Sequence, residues 1–302
     1  MKRMMTLRGL LLIAVWCCAL PGAETVEHPF SGITYIKRAE TEPRPVRMHV
    51  VKIDLTAPGL SFKLSPPGGP LETIRQTTLD YLLQEHAQVA INAHFFLPWP
   101  SDQPDADLVG FAASNGTVYS GFETPEQAYA LIPYVPAINI DPGNHASLIH
   151  RDPAFNDGKH VLEQVKVWTA VTGSAQIVTD GVRTIPEYEP AGVLKAGGPG
   201  AGFSSTRSWY AQTNARSAIG ITRDGQTLVL FTVDVRGGSE GMRVGEVADV
   251  LIRDYGVYQA LNLDGGGSTT LALDGRMVNV SSDNPKGRSV GSSLAVFAER
   301  EK

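Results

Sequence analysis

Between Met48 and Leu55, apolar and polar side chains largely alternate, in the run Met48-His49-Val50-Val51-Lys52-Ile53-Asp54-Leu55. That period belongs to a half-buried strand. The apolar character resumes after Pro58-Gly59 and runs to Leu64, so two strands around a turn are predicted over Val46 to Leu64. Pro66-Pro67-Gly68-Gly69-Pro70 ends them. A helix is predicted from about Glu72 to His86, although its apolar positions fit a 3.6-residue period only in part. Val89-Ala90-Ile91-Asn92 reads as the next strand. The last third is more regular. Strands are predicted at 217–223 and 228–235 around the turn Asp224-Gly225, and a helix from Arg243 to Tyr255. There Val244, Val247, Ala248, Leu251 and Tyr255 form one apolar stripe. A strand at 258–263, a hairpin over 271–280 turning at Asp274-Gly275, and a strand from about Ser293 to Ala298 complete the pattern.

Elsewhere the pattern weakens. Residues 24–45 read as an extended lead-in, 97–160 as a loop-dominated insertion with strand pieces, and 173–181 as a strand and turn. The glycine-rich segment 192–208 reads as a mobile loop. Its Gly197-Gly198-Pro199-Gly200-Ala201-Gly202 lacks the Gly-Lys-Ser/Thr ending of a nucleotide P-loop. Together the elements predict an α/β, or mixed α+β, fold. The expected architecture is a mixed β-sheet with flanking helices, a C-terminal β-α-β unit plus hairpin, and loop-rich insertions, with 24–302 as one domain.

Composition changes the picture chiefly at the start. Lys2, Arg3 and Arg8 precede the apolar Gly9 to Leu20, and Pro21-Gly22-Ala23 offers a cleavage site, so 1–23 is expected to be an export signal. The apolar run is short of the ~20 residues of a spanning helix, and no stable membrane anchor is expected after cleavage. Cys17 and Cys18 both lie in that signal. The mature chain would then hold no thiol, which excludes cysteine nucleophiles and thiolate-bound metals. Losing three of the 26 basic residues leaves 23 against 31 acidic ones, a net charge of −8. With no Lys/Arg block, nucleic acid is not an expected partner. A periplasmic or extracellular protein is expected.

The candidate chemistry lies in Asn262-Leu263-Asp264-Gly265-Gly266-Gly267-Ser268-Thr269-Thr270. Three successive glycines are kept where φ must be positive or where another group comes close to the backbone. A carboxylate beside such a loop can act on a ligand while exposed N–H groups hold an anionic part of it. The rival reading is a plain tight turn. In the predicted β-α-β unit the two strands run parallel, so Asp234 and Asp264 fall at strand ends on one rim, where ligands bind in α/β sheets. Neighbouring strands lie ~4.8 Å apart, and either that spacing or twice it is near the ~5–9.5 Å separation of glycosidase carboxylate pairs. Asn92 ends a strand after a helix and is expected at the same rim.

These residues also carry a family resemblance. Asn92-Ala93-His94-Phe95-Phe96, Ala215-Arg216-Ser217-Ala218-Ile219-Gly220, Val233-Asp234-Val235-Arg236 and Gly241 to Ala248 each resemble an element of the phosphodiester glycosidase family. So do Ala260 to Thr269 and Gly287-Arg288-Ser289-Val290, in the family's order. The resemblance spans about 88–298. Val235, where glycine is common, and Ala93-His94 depart from the pattern. The resemblance implies an exported hydrolase that releases a sugar, N-acetylglucosamine in the family's best-known case, from a sugar-1-phosphodiester. It implies Asp264 and Asp234 as catalytic carboxylates, with Glu246 as a third acidic candidate. Glu246 lies opposite the helix's apolar stripe, so only its first-turn position and the resemblance bring it to the rim. Arg216, Arg236 and Arg288 are phosphate-clamp candidates, since guanidinium binds phosphate bidentately. The N–H groups of Gly265, Gly266, Gly267 and Ser268 add donors, and Asn92 and Asn262 position sugar hydroxyls. Blander readings stand beside these. Asp234 reads also as a strand cap, Arg216 as an ion-pair partner, Arg288 as a solvated loop residue, His94 as structural, and Phe95 and Phe96 as core. No cofactor is expected. A Ca²⁺ or Mg²⁺ ion on Asp234, Asp264 and Asn262 is an open variant without EF-hand spacing. An actin-type phosphate loop is disfavoured because Asp264 abuts Gly265. The other alternative is a non-catalytic binder of a surface polysaccharide or phosphate-containing envelope polymer.

Overall fold

The computed structural model describes residues 22–124, 132–185, 210–281 and 284–300. Most of the expected export signal and the whole 192–208 loop lie outside them. Strands Glu24–Phe30, Ile33–Glu40, Val46–Asp54, Thr227–Val233, Arg216–Thr222, Val257–Asn262, Ala175–Thr179 and Val182–Arg183 form, in that spatial order, an eight-stranded sheet. A five-stranded sheet runs Arg276–Met277, Leu271–Leu273, Val89–Asn92, Ser293–Phe297, Ser61–Leu64. A second five-stranded sheet is built from Thr117–Ser120, Ala112–Ser114, Thr169–Thr172, Ala137–Ile140 and Ala146–Ile149.

Period-two alternation explains how the layers close. In Thr227–Val233, Leu228 and Leu230 face a core shared with Ile91, Leu271, Leu294 and Val296 of the first five-stranded sheet. Val229, Phe231 and Val233 face the opposite way, onto Val244, Val247, Ala248 and Leu251 of the helix Val244–Tyr255. A second helix, Thr78–Glu85, lays Tyr81 and Leu82 on Ala90, Ala272 and Ala295 at the outer face of the five-stranded sheet. The layers therefore run helix, sheet, sheet, helix. Burying each Leu, Ile or Val of these faces contributes about 1.5–3 kcal/mol.

The expected α/β class is corrected by this arrangement. The chain is mostly β, with α-helix only at Thr78–Glu85 and Val244–Tyr255 among the described residues. Strands buried on both faces read as continuous apolar runs, the signature of an α/β sheet. Here one face is covered by another sheet rather than by helices. The lead-in at 24–45 is a paired hairpin, and the 97–160 insertion supplies strands to the third sheet. The predicted helix at 72–86 forms only from Thr78, where the Thr77 hydroxyl accepts from the Asp80 amide (3.0 Å). The β-α-β connection is present with one strand interposed. Arg216–Thr222 lies antiparallel to both Thr227–Val233 and Val257–Asn262, so these two are parallel to each other. No helix among the described residues is long and apolar enough to cross a membrane.

Candidate active site

Asp264 stands where the two large sheets meet. Its amide donates to the Ala93 carbonyl (2.9 Å), and its carbonyl accepts from Asn92 Nδ2 (2.6 Å), both at the carboxyl end of Val89–Asn92, the central strand of the five-stranded sheet. Asn92 Oδ1 accepts in turn from Ser217 Oγ (2.7 Å) of the eight-stranded sheet and from the Thr270 amide (3.0 Å). Asn92 is thus a buried brace across the seam and places the Asp264 backbone; its amide is engaged with protein on both sides.

The glycine run has a reason at each position. Gly266 has φ +59°, which favours glycine. A Cβ on Gly265 would sit 3.0 Å from the Ala215 carbonyl, and one on Gly267 would sit 2.5 Å from an Arg288 guanidinium nitrogen. Arg288 can therefore lie directly over the loop, where Nη1 donates to Ser268 Oγ (3.2 Å). The Gly266 and Ser268 amides already donate to Ala215 O (2.8 Å) and Gly265 O (3.1 Å).

Phe95, Phe96, Leu97, Trp99, Val109, Asp264, Gly265, Gly266, Gly267, Ser268 and Arg288 enclose a cavity of about 320 Å³. Asp264 is its one carboxylate among the described residues. Its side chain is 9% exposed, and burial pushes its pKa up to about 7, against smaller opposing effects of the Ser268 hydroxyl, the Arg288 charge and the Gly265 amide. A carboxyl that titrates near neutrality, beside a guanidinium and a hydroxyl, can exchange protons with a bound substrate or water.

The other predicted residues are placed elsewhere. Asp234 ends its strand on the same sheet edge as Asp264, across the interposed strand. Its buried carboxylate meets His49 Nε2 (3.2 Å) and the Val280 amide (2.7 Å), and His49 Nδ1 meets Tyr35 Oη (2.7 Å). The cavity wall does not include it. Glu246 caps its own helix through the Arg243 amide (2.7 Å) and is gripped by both terminal nitrogens of Arg44. Burial opposes its ionisation, but those hydrogen bonds outweigh burial and hold its pKa below the usual carboxylate range. Arg216 is buried beneath the glycine loop, donating Nε to Met242 O (3.0 Å) and Nη2 to Gln212 O; burial lowers its pKa to about 10. Arg236 is exposed on the turn after Asp234. Asn262 donates to Ser174 Oγ (3.0 Å) and Leu263 O (2.9 Å). Of the predicted set, Asp264, Gly265, Gly266, Gly267, Ser268 and Arg288 share the cavity; Asp234, Glu246, Arg216, Arg236, Asn92 and Asn262 do not line it.

His94 is buried between Ser292 Oγ (2.9 Å) and Phe111 O (3.0 Å), and burial lowers its pKa to about 4, so it is neutral. Phe96 is buried, as read from the sequence, and Phe95 is half-buried; both line the cavity. Trp99 was not foreseen; an aromatic set among prolines in a polar stretch was its available signal. Among the described residues, no group of three or more His, Cys, Asp or Glu side chains is arranged to hold a metal ion.

A family profile described as phosphodiester glycosidase matches residues 85–297. Two curated relatives are N-acetylglucosamine-1-phosphodiester alpha-N-acetylglucosaminidases. The one from Mus musculus is 42% identical and the one from Homo sapiens 44% identical, each over 71 residues. That stretch is 24% of this chain and only 13% of each relative. Among solved structures, the catalytic domain of the zebrafish N-acetylglucosamine-1-phosphodiester alpha-N-acetylglucosaminidase, described as auto-inhibited by its pro-peptide, shares the fold. Its TM-score is 0.60 at 20% identity, covering 93% of this chain and 89% of that one. A putative exported protein from Burkholderia pseudomallei has a TM-score of 0.60 at 14% identity, covering 93% and 97%. A hypothetical protein from Synechocystis has a TM-score of 0.55 at 20% identity; this chain covers 62% of its length.

Proposed function

The chain belongs to the phosphodiester glycosidase family, and from that premise we propose that it hydrolyses the bond between a sugar's anomeric carbon and a phosphodiester oxygen. The observation that carries this reading is the pairing of Asp264, with its pKa near 7, and Arg288 across one cavity. In the proposed reaction water adds to the anomeric carbon and the glycosyl C–O bond breaks. The electron pair leaves with a phosphate monoester, and the water proton passes to Asp264. That leaving group has a second pKa of ~6, so it departs without a strong general acid. One carboxylate in the cavity is then sufficient, unlike the two needed for an alkoxide leaving group. Asp264 as a covalent nucleophile followed by water is the same chemistry in two steps, and the anomeric outcome separates the two. Arg288 and the Ser268 hydroxyl bind the phosphate. Asn92, Arg216 and Asp234 position the loops that carry these groups, with Asn262 beneath them.

N-acetylglucosamine is the first sugar to test, because the curated relatives are named for it. Export is part of the proposal, read from the basic and apolar segment 1–23; a structural neighbour is described as a putative exported protein. The decisive experiment is Asp264→Asn assayed for free reducing sugar from a sugar-1-phosphodiester. Turnover should vanish while the fold persists; undiminished turnover would remove Asp264 from the reaction. A chain that binds phosphate-containing glycan but never releases sugar would instead be a binder.

A further inference from the structure

We propose that Trp99 is the sugar-stacking platform of this cleft and so a specificity-determining residue, an assignment that rests on the glycosidase reading above. Trp99 is 50% exposed, directly above the buried Phe96, whose ring meets it edge-on at 5.7 Å between centroids. What sets it apart from the other exposed large apolar side chains among the described residues is that it lines the Asp264 cavity, where a ligand can cover it. Trp99 also lines two further cavities, of about 540 and 490 Å³. Each is large enough for a sugar ring.

The loop beneath Trp99 is built to hold it still. Arg75 donates Nη2 to Pro98 O (2.7 Å), Nη1 to Ser101 O (3.0 Å) and Nε to Asp105 O (2.8 Å), and its guanidinium rests 5.0 Å from the Phe96 ring centre. Charged donors on three carbonyls fix the loop before any ligand arrives, and a preorganised aromatic surface loses little entropy on binding. Arg288 lies 4.3 Å from the centre of the Trp99 ring while also reaching Ser268. The indole and the phosphate-binding guanidinium are therefore neighbours, and Ser268 holds the guanidinium independently of the indole. A pyranose stacked on the part of the indole that Arg288 leaves exposed would keep its 1-phosphate in the cavity that Arg288 and Asp264 share. The ligand class this selects is a glycosyl phosphodiester recognised by its ring as well as by its charge.

The test uses the full chain with three probes: free N-acetylglucosamine, methyl phosphate, and the methyl phosphodiester of N-acetylglucosamine 1-phosphate. Calorimetry should show that Trp99→Ala weakens binding of the free sugar about tenfold and leaves methyl phosphate binding unchanged. KM for the diester should rise by a similar factor, with kcat within roughly twofold. Trp99→Phe should recover most of the lost sugar affinity, which a merely misfolded loop would not. Equal sugar affinity in wild type and Trp99→Ala, no sugar binding by wild type, or a loss confined to methyl phosphate would each overturn the platform. Asp264→Asn separates the two readings: it should bind the free sugar normally but release none from the diester. Release by that variant would remove Asp264 from the reaction without touching the platform, whereas a wild type that binds the free sugar but releases none from the diester would defeat the glycosidase reading and leave the platform standing.

Discussion

Asp264 shows how one buried side chain sets opposite pH demands on activity and stability. With its pKa near 7, the carboxylate form that the proposed reaction uses as a base accumulates only as pH rises through neutrality. The turnover rate should climb through about pH 7 and level above it. Stability should run the other way. The unfolded carboxyl ionises near about 3.9, so between about pH 4 and 7 the folded state holds a proton the unfolded chain has lost, and stability falls across that window. Asp264→Asn keeps the neutral shape. It should raise the unfolding free energy by at most about 4 kcal/mol above pH 7 and hardly at all near pH 4, as denaturant titrations at both pH values will show. Gly267→Ala tests the neighbouring contact. Its methyl would push only the flexible end of Arg288, so the fold should survive while KM for a phosphodiester rises about tenfold. These residues were legible in the sequence because the reason for three glycines is local. The place of Asp234 on the same rim was legible too, but its partners were not, because His49 and Val280 lie 185 and 46 residues away and no spacing rule connects them.

Among the elements, the Val244–Tyr255 helix and the strands around it were legible because their periods are complete and their turns carry Gly or Asp-Gly. The helix forecast from Glu72 shortened because its first residues pair with distant strands instead. The lead-in became a hairpin because its partner strand, Val46–Asp54, offered an edge that composition could not reveal. Two substitutions test how strand ends support the cavity. Asn92→Ala removes the brace between Asp264, Ser217 and Thr270 and should cost about 1–3 kcal/mol in chemical denaturation, with turnover falling alongside. Asp234→Asn can still accept from the Val280 amide and face His49, so it should leave turnover within about tenfold of wild type. A loss as complete as that of Asp264→Asn would make Asp234 a second acting carboxylate after all.

For the whole molecule, the sequence suggested an α/β domain because its best-patterned segment is the one β-α-β connection. The remaining contacts join strands far apart in the chain, such as Val46–Asp54 with Thr227–Val233, and antiparallel pairing of that kind leaves no periodic trace. The proposed chemistry uses only side chains of this cavity and water, so release of sugar should persist after exhaustive dialysis against a chelator. Inactivation reversed by Ca²⁺ or Mg²⁺ would restore an ion to the mechanism.

Asp264 is hung by its own amide and carbonyl from the opposite sheet, through Ala93 and Asn92. The aim of this carboxylate therefore depends on how the two sheets dock as well as on its own strand. Any slippage of one sheet over the other would misaim it before either had melted. Residual activity during heating should track near-ultraviolet dichroism rather than the later loss of strand signal, making catalysis the most sensitive gauge of sandwich closure.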